Sequence, residues 1–334
     1  MPIVPFQELL AAAETGGYAV GYFESWNLES LLAVADAAEA VRSPVMLGFS
    51  GIQLSGLDPG GKSRLRQYAA LGLETCRSLE SACCLVFNEC PSFKAVSEAI
   101  DLGFGLVMFS DPCLDVKENM EYVRETARRA HAASVAVEGE LVALPGMGGD
   151  LFHAPPKLSF DDPDLARTFV EYTGVDAFAV NVGQVHLHGR SEVRLDLEHL
   201  SVLRDKVRVP LVLHGASSVR RQDLTEGIRL GIRKINVGSM LRRCYFETVK
   251  DACASIGANY NPYEVVGSGV RDDVLTAGRL ALQRKDACAS VGADYNPYEV
   301  VGSGLRNDVL MAGRLALQRV VEDMMGLFGS AGKA

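Results

Sequence analysis

PLVLHG, residues 210–215, is a short β-branched, apolar run that breaks at a histidine and a glycine, and seven more runs of this kind precede or follow it. They are YAVGYF (18–23), VMLGF (45–49), CCLVFN (83–88), LVMF (106–109), VAVEGE (135–140), AFAVNV (177–182) and KINVG (234–238). Between them lie amphipathic stretches, among them LESLLAVADAAEAV, FKAVSEAIDLG and NMEYVRETARRAHAA, whose apolar residues recur at three- and four-residue spacing. Strands that are apolar throughout are buried on both faces, and a helix after each makes the sheet parallel. Eight such units in about 240 residues predict an α/β fold, a single closed (β/α)8 TIM barrel. A doubly wound open sheet is the alternative that periodicity alone leaves standing.

The polar residues say where a site would be. Glu24, Asn88 with Glu89, Glu138 with Glu140, Asn181, His214 and Asn236 fall at or just past the carboxyl ends of successive predicted strands, and His186 follows the sixth. A barrel builds its active site at that end. The Gly/Pro-rich connection 141–159 is too long for a tight βα turn and is expected to be a mobile loop over the mouth.

Past the eighth run the chain repeats itself. Residues 250–284 recur as 285–319 with five differences in 35 positions, Ile256/Val291, Asn259/Asp294, Val270/Leu305, Asp272/Asn307 and Thr276/Met311. Two copies are fewer than the three or so stacked units that a solenoid needs. The expected organisation is a barrel over 1–249 and a helical extension of the same domain over 250–334, carrying the tandem duplication and no chemistry of its own.

Of 334 residues 48% are apolar and 22% charged, a globular composition. Lys plus Arg number 33 against 42 Asp plus Glu, a formal charge of −9 that argues against a nucleic-acid or anionic-membrane partner and for a small molecule. The opening MPIVPFQELLAAAETGG has no basic segment followed by a cleavable apolar one, and no apolar run reaches the roughly 18 residues of a spanning helix. The eight cysteines form no CxxC pair and are expected to be reduced, so a cytoplasmic location is expected.

Two chemistries suit the mouth. His186 and His214 close the sixth and seventh strands and Glu89 closes the third, a His2Glu set able to hold a divalent metal and leave room for a substrate oxygen. The alternative is two histidines hydrogen-bonded within the fold and a solvated Glu89. His131, His153, His188 and His199 fall in helical or loop contexts. HGASS (214–218) and NVGS (236–239) end the last two strands and supply Gly215, Ser217, Gly238 and Ser239 at helix starts, where barrels cradle phosphate. The same residues also serve as ordinary turns and caps.

The chain resembles the class II, metal-dependent ketose-bisphosphate aldolases, on LLAAAETGGYAV at the start, VEGEL at 137, GVDAFAV at 174, LVLHGAS at 211, KINVGSMLRR at 234 and the terminal LFGSAGKA. The resemblance covers nearly all of the chain apart from one repeat copy. It implies a (β/α)8 barrel whose zinc, bound by three histidines, polarises a ketose carbonyl and stabilises an enediolate. It carries two of those histidines onto His186 and His214, the dihydroxyacetone contact onto Asn236, and phosphate binding onto Gly215, Ser217, Gly238 and, in place of a Thr, Ser239.

The departures are as informative. The family's Asp-His pair after the third strand, catalytic acid/base and first metal ligand, is Asn88-Glu89 here, and its Phe-Asn after the first strand is Phe23-Glu24. Leu187 replaces a glycine, Arg190 is the only base near a missing lysine, and SDPC (110–113) replaces a DGS-type turn. The expectation is therefore a Glu89, His186, His214 site for zinc that also admits manganese or iron. Glu24 would move the proton, Asn88 would keep the acid/base position with an amide, and Asn236 and Ser217 would orient a ketose or ketose phosphate. An isomerase, epimerase or dehydratase using the same metal, and a sugar-phosphate binder without catalysis, are the alternatives. The expected assembly is a homodimer or homotetramer.

Overall fold

Each of the eight runs is a strand, and the strands pair in parallel in chain order until the eighth meets the first, closing a barrel. A computed structural model describes residues 2–56, 64–141, 143–144, 160–185, 192–242, 244–245 and 309–333. The strands are β1 (Val20–Ser25), β2 (Val45–Ser50), β3 (Cys83–Cys90), β4 (Leu106–Phe109), β5 (Ala136–Glu140), β6 (Ala177–Ala179), β7 (Leu211–Leu213) and β8 (Ile232–Val237). The helices are α1 (Phe6–Gly16), α2 (Leu28–Val41), α3 (Gly51–Gly56), α4 (Leu65–Ser78), α5 (Phe93–Asp101), α6 (Val116–Ala132), α7 (Pro163–Thr173), α8 (Leu197–Lys206), α9 (Arg221–Arg229) and α10 (Val309–Leu327).

Local chemistry sets the boundaries. β1 starts two residues after the run that predicts it, because Tyr18 N–H is engaged by Ala13 O in the turn that ends α1, with Gly17 at φ +64°. Asn27 caps α2 by accepting from Ser30 N at 2.8 Å, and Asp115 caps α6 by accepting from Glu118 N at 2.8 Å. Gly48 in β2 has no substitute, since a Cβ there would lie 2.0 Å from Val86 O of β3.

Two apolar clusters follow from strand alternation. Phe23, Leu47, Phe49, Leu85, Phe87, Val107, Val137, Phe178, Leu213, Ile235 and Val237 pack outward against the helices. Val20, Tyr22, Met46, Cys84, Val86, Leu106, Ala136, Ala177, Ala179 and Val212 fill the barrel and meet Phe6, Leu9 and Leu10 of α1. Those residues lie at the strand beginnings, so α1 plugs the amino-terminal end of the barrel and the opposite end is left for polar groups.

α10 lies along α2, and Phe328 stacks on Phe23 with centroids 6.2 Å apart. Gly332 N donates to Val41 O at 2.9 Å and Ser43 Oγ donates to Ser330 Oγ at 2.8 Å, so the terminal octet is part of the barrel's outer layer. Its last repeat residues, 309–319, begin α10. The boundary at 249/250 and the rest of the duplication lie outside the described residues. Among the described residues no helix is long and apolar enough to cross a membrane, and the six described cysteines are free.

Candidate active site at the barrel mouth

Glu89 reaches the mouth by a backbone distortion. In β3 the inward positions are Cys84 and Val86, which makes Asn88 the next inward residue and would turn Glu89 outward. Instead Glu89 adopts φ +48° and the β3–β4 register shifts between Phe87 and Cys90. A left-handed non-glycine costs on the order of 1–3 kcal/mol. Bulges of this kind re-aim side chains beside active sites. The result is Glu89 Oε1 at 2.8 Å from His214 Nδ1. Asn88 is buried, and its Oδ1 has no hydrogen-bond partner among the described residues.

His214, just past β7 and 2% exposed, is held on both sides. Its Nε2 lies 2.6 Å from Glu138 Oε1 and 2.9 Å from Asn236 Nδ2. Lys234 Nζ donates to Glu138 Oε2 at 2.7 Å and to Asn236 Oδ1 at 2.6 Å, and sits 5.0 Å from the Tyr22 ring centroid. Burial acts to protonate Glu138, but the neighbouring Lys234 and His214 charges overcome it and hold the carboxyl well below the usual range. Burial likewise acts to discharge His214, and the two flanking carboxylates reverse that and raise it. Lys234 is lowered by burial against the pull of Glu138.

Two further carboxyls face the same space with less compensation. Glu140, which ends β5, is pushed up to about 7 by burial, offset in part by His214, and accepts a hydrogen bond from Ser110 Oγ. Glu24, the penultimate residue of β1, is also raised by burial. Its Oε1 accepts from Arg242 Nη2 at 2.7 Å and from Gln53 Nε2 at 3.1 Å, and Arg242 lies over the Trp26 ring at 4.4 Å.

The four glycine and serine candidates stand on the adjacent β7 and β8 loops. Gly215 adopts φ +68°, and a Cβ there would approach Leu144 Cδ2 to 2.9 Å. Ser217 Oγ accepts from Met240 N at 3.2 Å, tying the two loops together. A Cβ on Gly238 would lie 3.6 Å from the Glu24 carboxyl, so Glu24 backs onto the loop that carries Gly238 and Ser239. His186, Arg190 and most of the 141–159 connection lie outside the described residues.

Glu89 and His214 are two facing donors, an imidazole nitrogen and a carboxylate oxygen, both buried, and this chemistry fits a divalent ion of the zinc, manganese or iron kind. Among the described residues alone no group of three His, Cys, Asp or Glu converges to hold a metal. Sequence reasoning missed Lys234, Tyr22, Ser110, Gln53 and Arg242. The signal for Lys234 was its spacing of two from Asn236, which places both on one face of β8.

The family model for class II fructose-bisphosphate aldolase matches residues 4–333. A fructose-bisphosphate aldolase of Geobacillus stearothermophilus is 30% identical over 269 residues, 80% of this chain and 92% of the relative. The crystal structure of the YdjI aldolase from Escherichia coli K12 superposes with a TM-score of 0.72 at 24% identity, covering 99% of each chain. That of a putative fructose-1,6-biphosphate aldolase from Coccidioides immitis gives 0.73 at 23% identity over 98% of this chain and 97% of its own. At these identities the two structures speak for the barrel fold.

Proposed function

The chain belongs to the class II fructose-bisphosphate aldolase family and is a metal-dependent aldolase, and we propose that it cleaves or forms a carbon–carbon bond next to the carbonyl of a ketose or ketose phosphate. The observation that carries this reading is the Glu89–His214–Asn236 arrangement at the mouth, one loop away from the Gly215, Ser217, Gly238 and Ser239 pair of turns. Glu89, His186 and His214 would hold the ion, zinc first and manganese or iron next. When bound, such an ion supplies a Lewis acid for the ketose carbonyl.

The chain's own residues would do the rest. With Oδ1 taken by Lys234, Asn236 has only its Nδ2 hydrogens to offer a substrate oxygen. Asn88 Oδ1, without a partner among the described residues, can accept from a substrate hydroxyl but, as an amide, takes no proton. Cleavage needs a base for the hydroxyl proton as the carbon–carbon electron pair moves toward the carbonyl, and an acid to return a proton to carbon. Glu24 is our candidate for that group, supported by a carboxyl raised by burial. Glu140 is the second reading, favoured by its position near 7, where a general acid/base is best matched to neutral pH. Ser217 and the two glycines would bind a phosphate, with Arg190 in place of the family's lysine. The remaining proposals are a cytoplasmic homodimer or homotetramer.

The test is metal content together with cleavage of fructose 1-phosphate and fructose, read as triose release. About one divalent ion per chain with triose release is expected, and His214→Ala should lose both. Solvent-proton exchange without cleavage would turn the reading toward an isomerase or epimerase, and a wild-type protein without tightly bound metal toward a sugar-phosphate binder.

A further inference from the structure

Both groups that flank His214 on its Nε2 side are bonded to one ammonium. Lys234 is fully buried, with Nζ donating to Glu138 Oε2 at 2.7 Å and to Asn236 Oδ1 at 2.6 Å, beneath the Tyr22 ring at 5.0 Å. Its side chain has no exposed surface, so its influence on the mouth passes through those two neighbours.

Each contact removes a degree of freedom. A carboxylate on a short strand-borne side chain can rotate, but Glu138 is gripped at both oxygens, Oε2 by Lys234 and Oε1 by His214 Nε2 at 2.6 Å. That directs the His214 ring so that Nδ1, the opposite nitrogen, faces Glu89 at 2.8 Å. An amide can also be inserted in either sense. An ammonium carries only donors, so Asn236 must turn Oδ1 to Lys234 and Nδ2 toward His214 and the mouth. One cation therefore decides which imidazole nitrogen looks at the metal position and which end of the amide looks at the substrate.

We propose that Lys234 is a positioning residue of this aldolase, setting the ring direction of His214 through Glu138 and the amide sense of Asn236 directly. The inference rests on the reading of His214 as a metal ligand and Asn236 as a substrate contact. Its rival is a purely structural role, in which Lys234 does no more than neutralise a carboxylate that would otherwise be buried unpaired.

Two variants separate these. Lys234→Met keeps an unbranched apolar side chain, one atom shorter, and removes the ammonium. Lys234→Met/Glu138→Gln removes both charges together, so that no unpaired ion remains to unfold the barrel. The measurements on the full chain are the dissociation constant for Zn2+ and for Mn2+, KM against kcat for fructose 1-phosphate at saturating metal, and the solvent exchange of the His214 Nε2 proton by NMR in metal-free protein. A positioning role predicts metal binding weaker by about 10- to 100-fold in each folded variant, the usual cost of losing a group that orients a ligand. It also predicts a KM that rises by a larger factor than kcat falls, and in Lys234→Met a Nε2 proton that loses its protection. A double variant that folds with wild-type metal affinity and KM would leave only the neutralising role and overturn the proposal. Should wild-type protein bind neither ion, the reading of the metal site fails by itself. The Nε2 proton then decides the positioning claim: faster exchange in Lys234→Met sustains it and an unchanged rate overturns it.

Discussion

The two ends of the barrel interior are built from the same strands and obey opposite rules. At the amino-terminal end Val20, Met46, Cys84, Leu106, Ala136, Ala177 and Val212 share an apolar cluster with α1, and the buried Lys234, level with Val20 and Val212, reaches up from it toward Glu138 and Asn236. Two or four residues further along, the inward positions are Glu24, Asn88, Ser110, Glu138, Glu140, His214 and Asn236, and most are just as buried. The first group is stabilised by burial, which adds up residue by residue. The second is stable only because its members compensate one another, so removing one leaves a partner uncompensated. The lesson is that one half of this interior specifies the fold and the other half spends stability on chemistry.

The largest effect should come from the mouth. Glu24→Gln is expected to leave metal content intact and to lower turnover by about 10² to 10⁴, the worth of a positioned general acid or base. Steady-state rates beside metal analysis check it. Loss of the ion before loss of rate would make Glu24 a ligand, and full activity would move the proton to Glu140, for which Glu140→Gln is the matching test.

The complementary change at the other end is Leu106→Ala. Leu106 is wholly buried in the interior cluster, so truncation should destabilise by about 2–5 kcal/mol in a denaturant titration. Metal affinity and KM, measured well below the unfolding transition, should stay at wild-type values. A change in either would show that the two halves are coupled through the strands.

A smaller effect belongs to the rim. Ser217→Ala removes the acceptor for Met240 N and a donor for an anion, and should weaken a phosphorylated ketose by about 1–3 kcal/mol while sparing the unphosphorylated sugar. Equal losses for both, measured by titration calorimetry, would mean that the loops hold no phosphate.

The same division explains what could be read from the sequence. The barrel was legible because its eight runs are apolar on both faces and its order follows the chain, and His214, Asn236 and Glu138 were legible as strand-end polar residues. Glu89 was named from its place after the third apolar run, although simple alternation along β3 would have turned it away; only the bulge and its φ of +48° bring it inward. Lys234 was invisible because a lysine inside an apolar run reads as a solvated edge, and its burial depends on Glu138 from a strand 96 residues away in sequence. Gln53 lies on α3 after β2 and Arg242 on the helical turn after β8, and no spacing rule links them to Glu24.

The finest contrast lies within β5, where Glu138 and Glu140 are two residues apart on one face. Glu138 has Lys234 and His214 and is held ionised, whereas Glu140 has a hydroxyl partner, Ser110, and is pushed up to about 7 by burial. A carboxyl whose folded value lies above its ordinary 4.5 binds its proton more tightly in the folded chain. Its contribution to stability is complete below the ordinary value and disappears as pH rises through about 7. Between pH 6 and 8 the metal-free wild-type protein should therefore lose about 1 kcal/mol of unfolding free energy through this group. Glu140→Gln cannot titrate and keeps the Ser110 contact through its amide oxygen, so the difference between the two proteins should shrink by that amount toward low pH. Urea titrations of both at pH 6 and pH 8 measure it. Parallel pH dependences would mean that Glu140 is ionised throughout, with compensation as complete as that of Glu138.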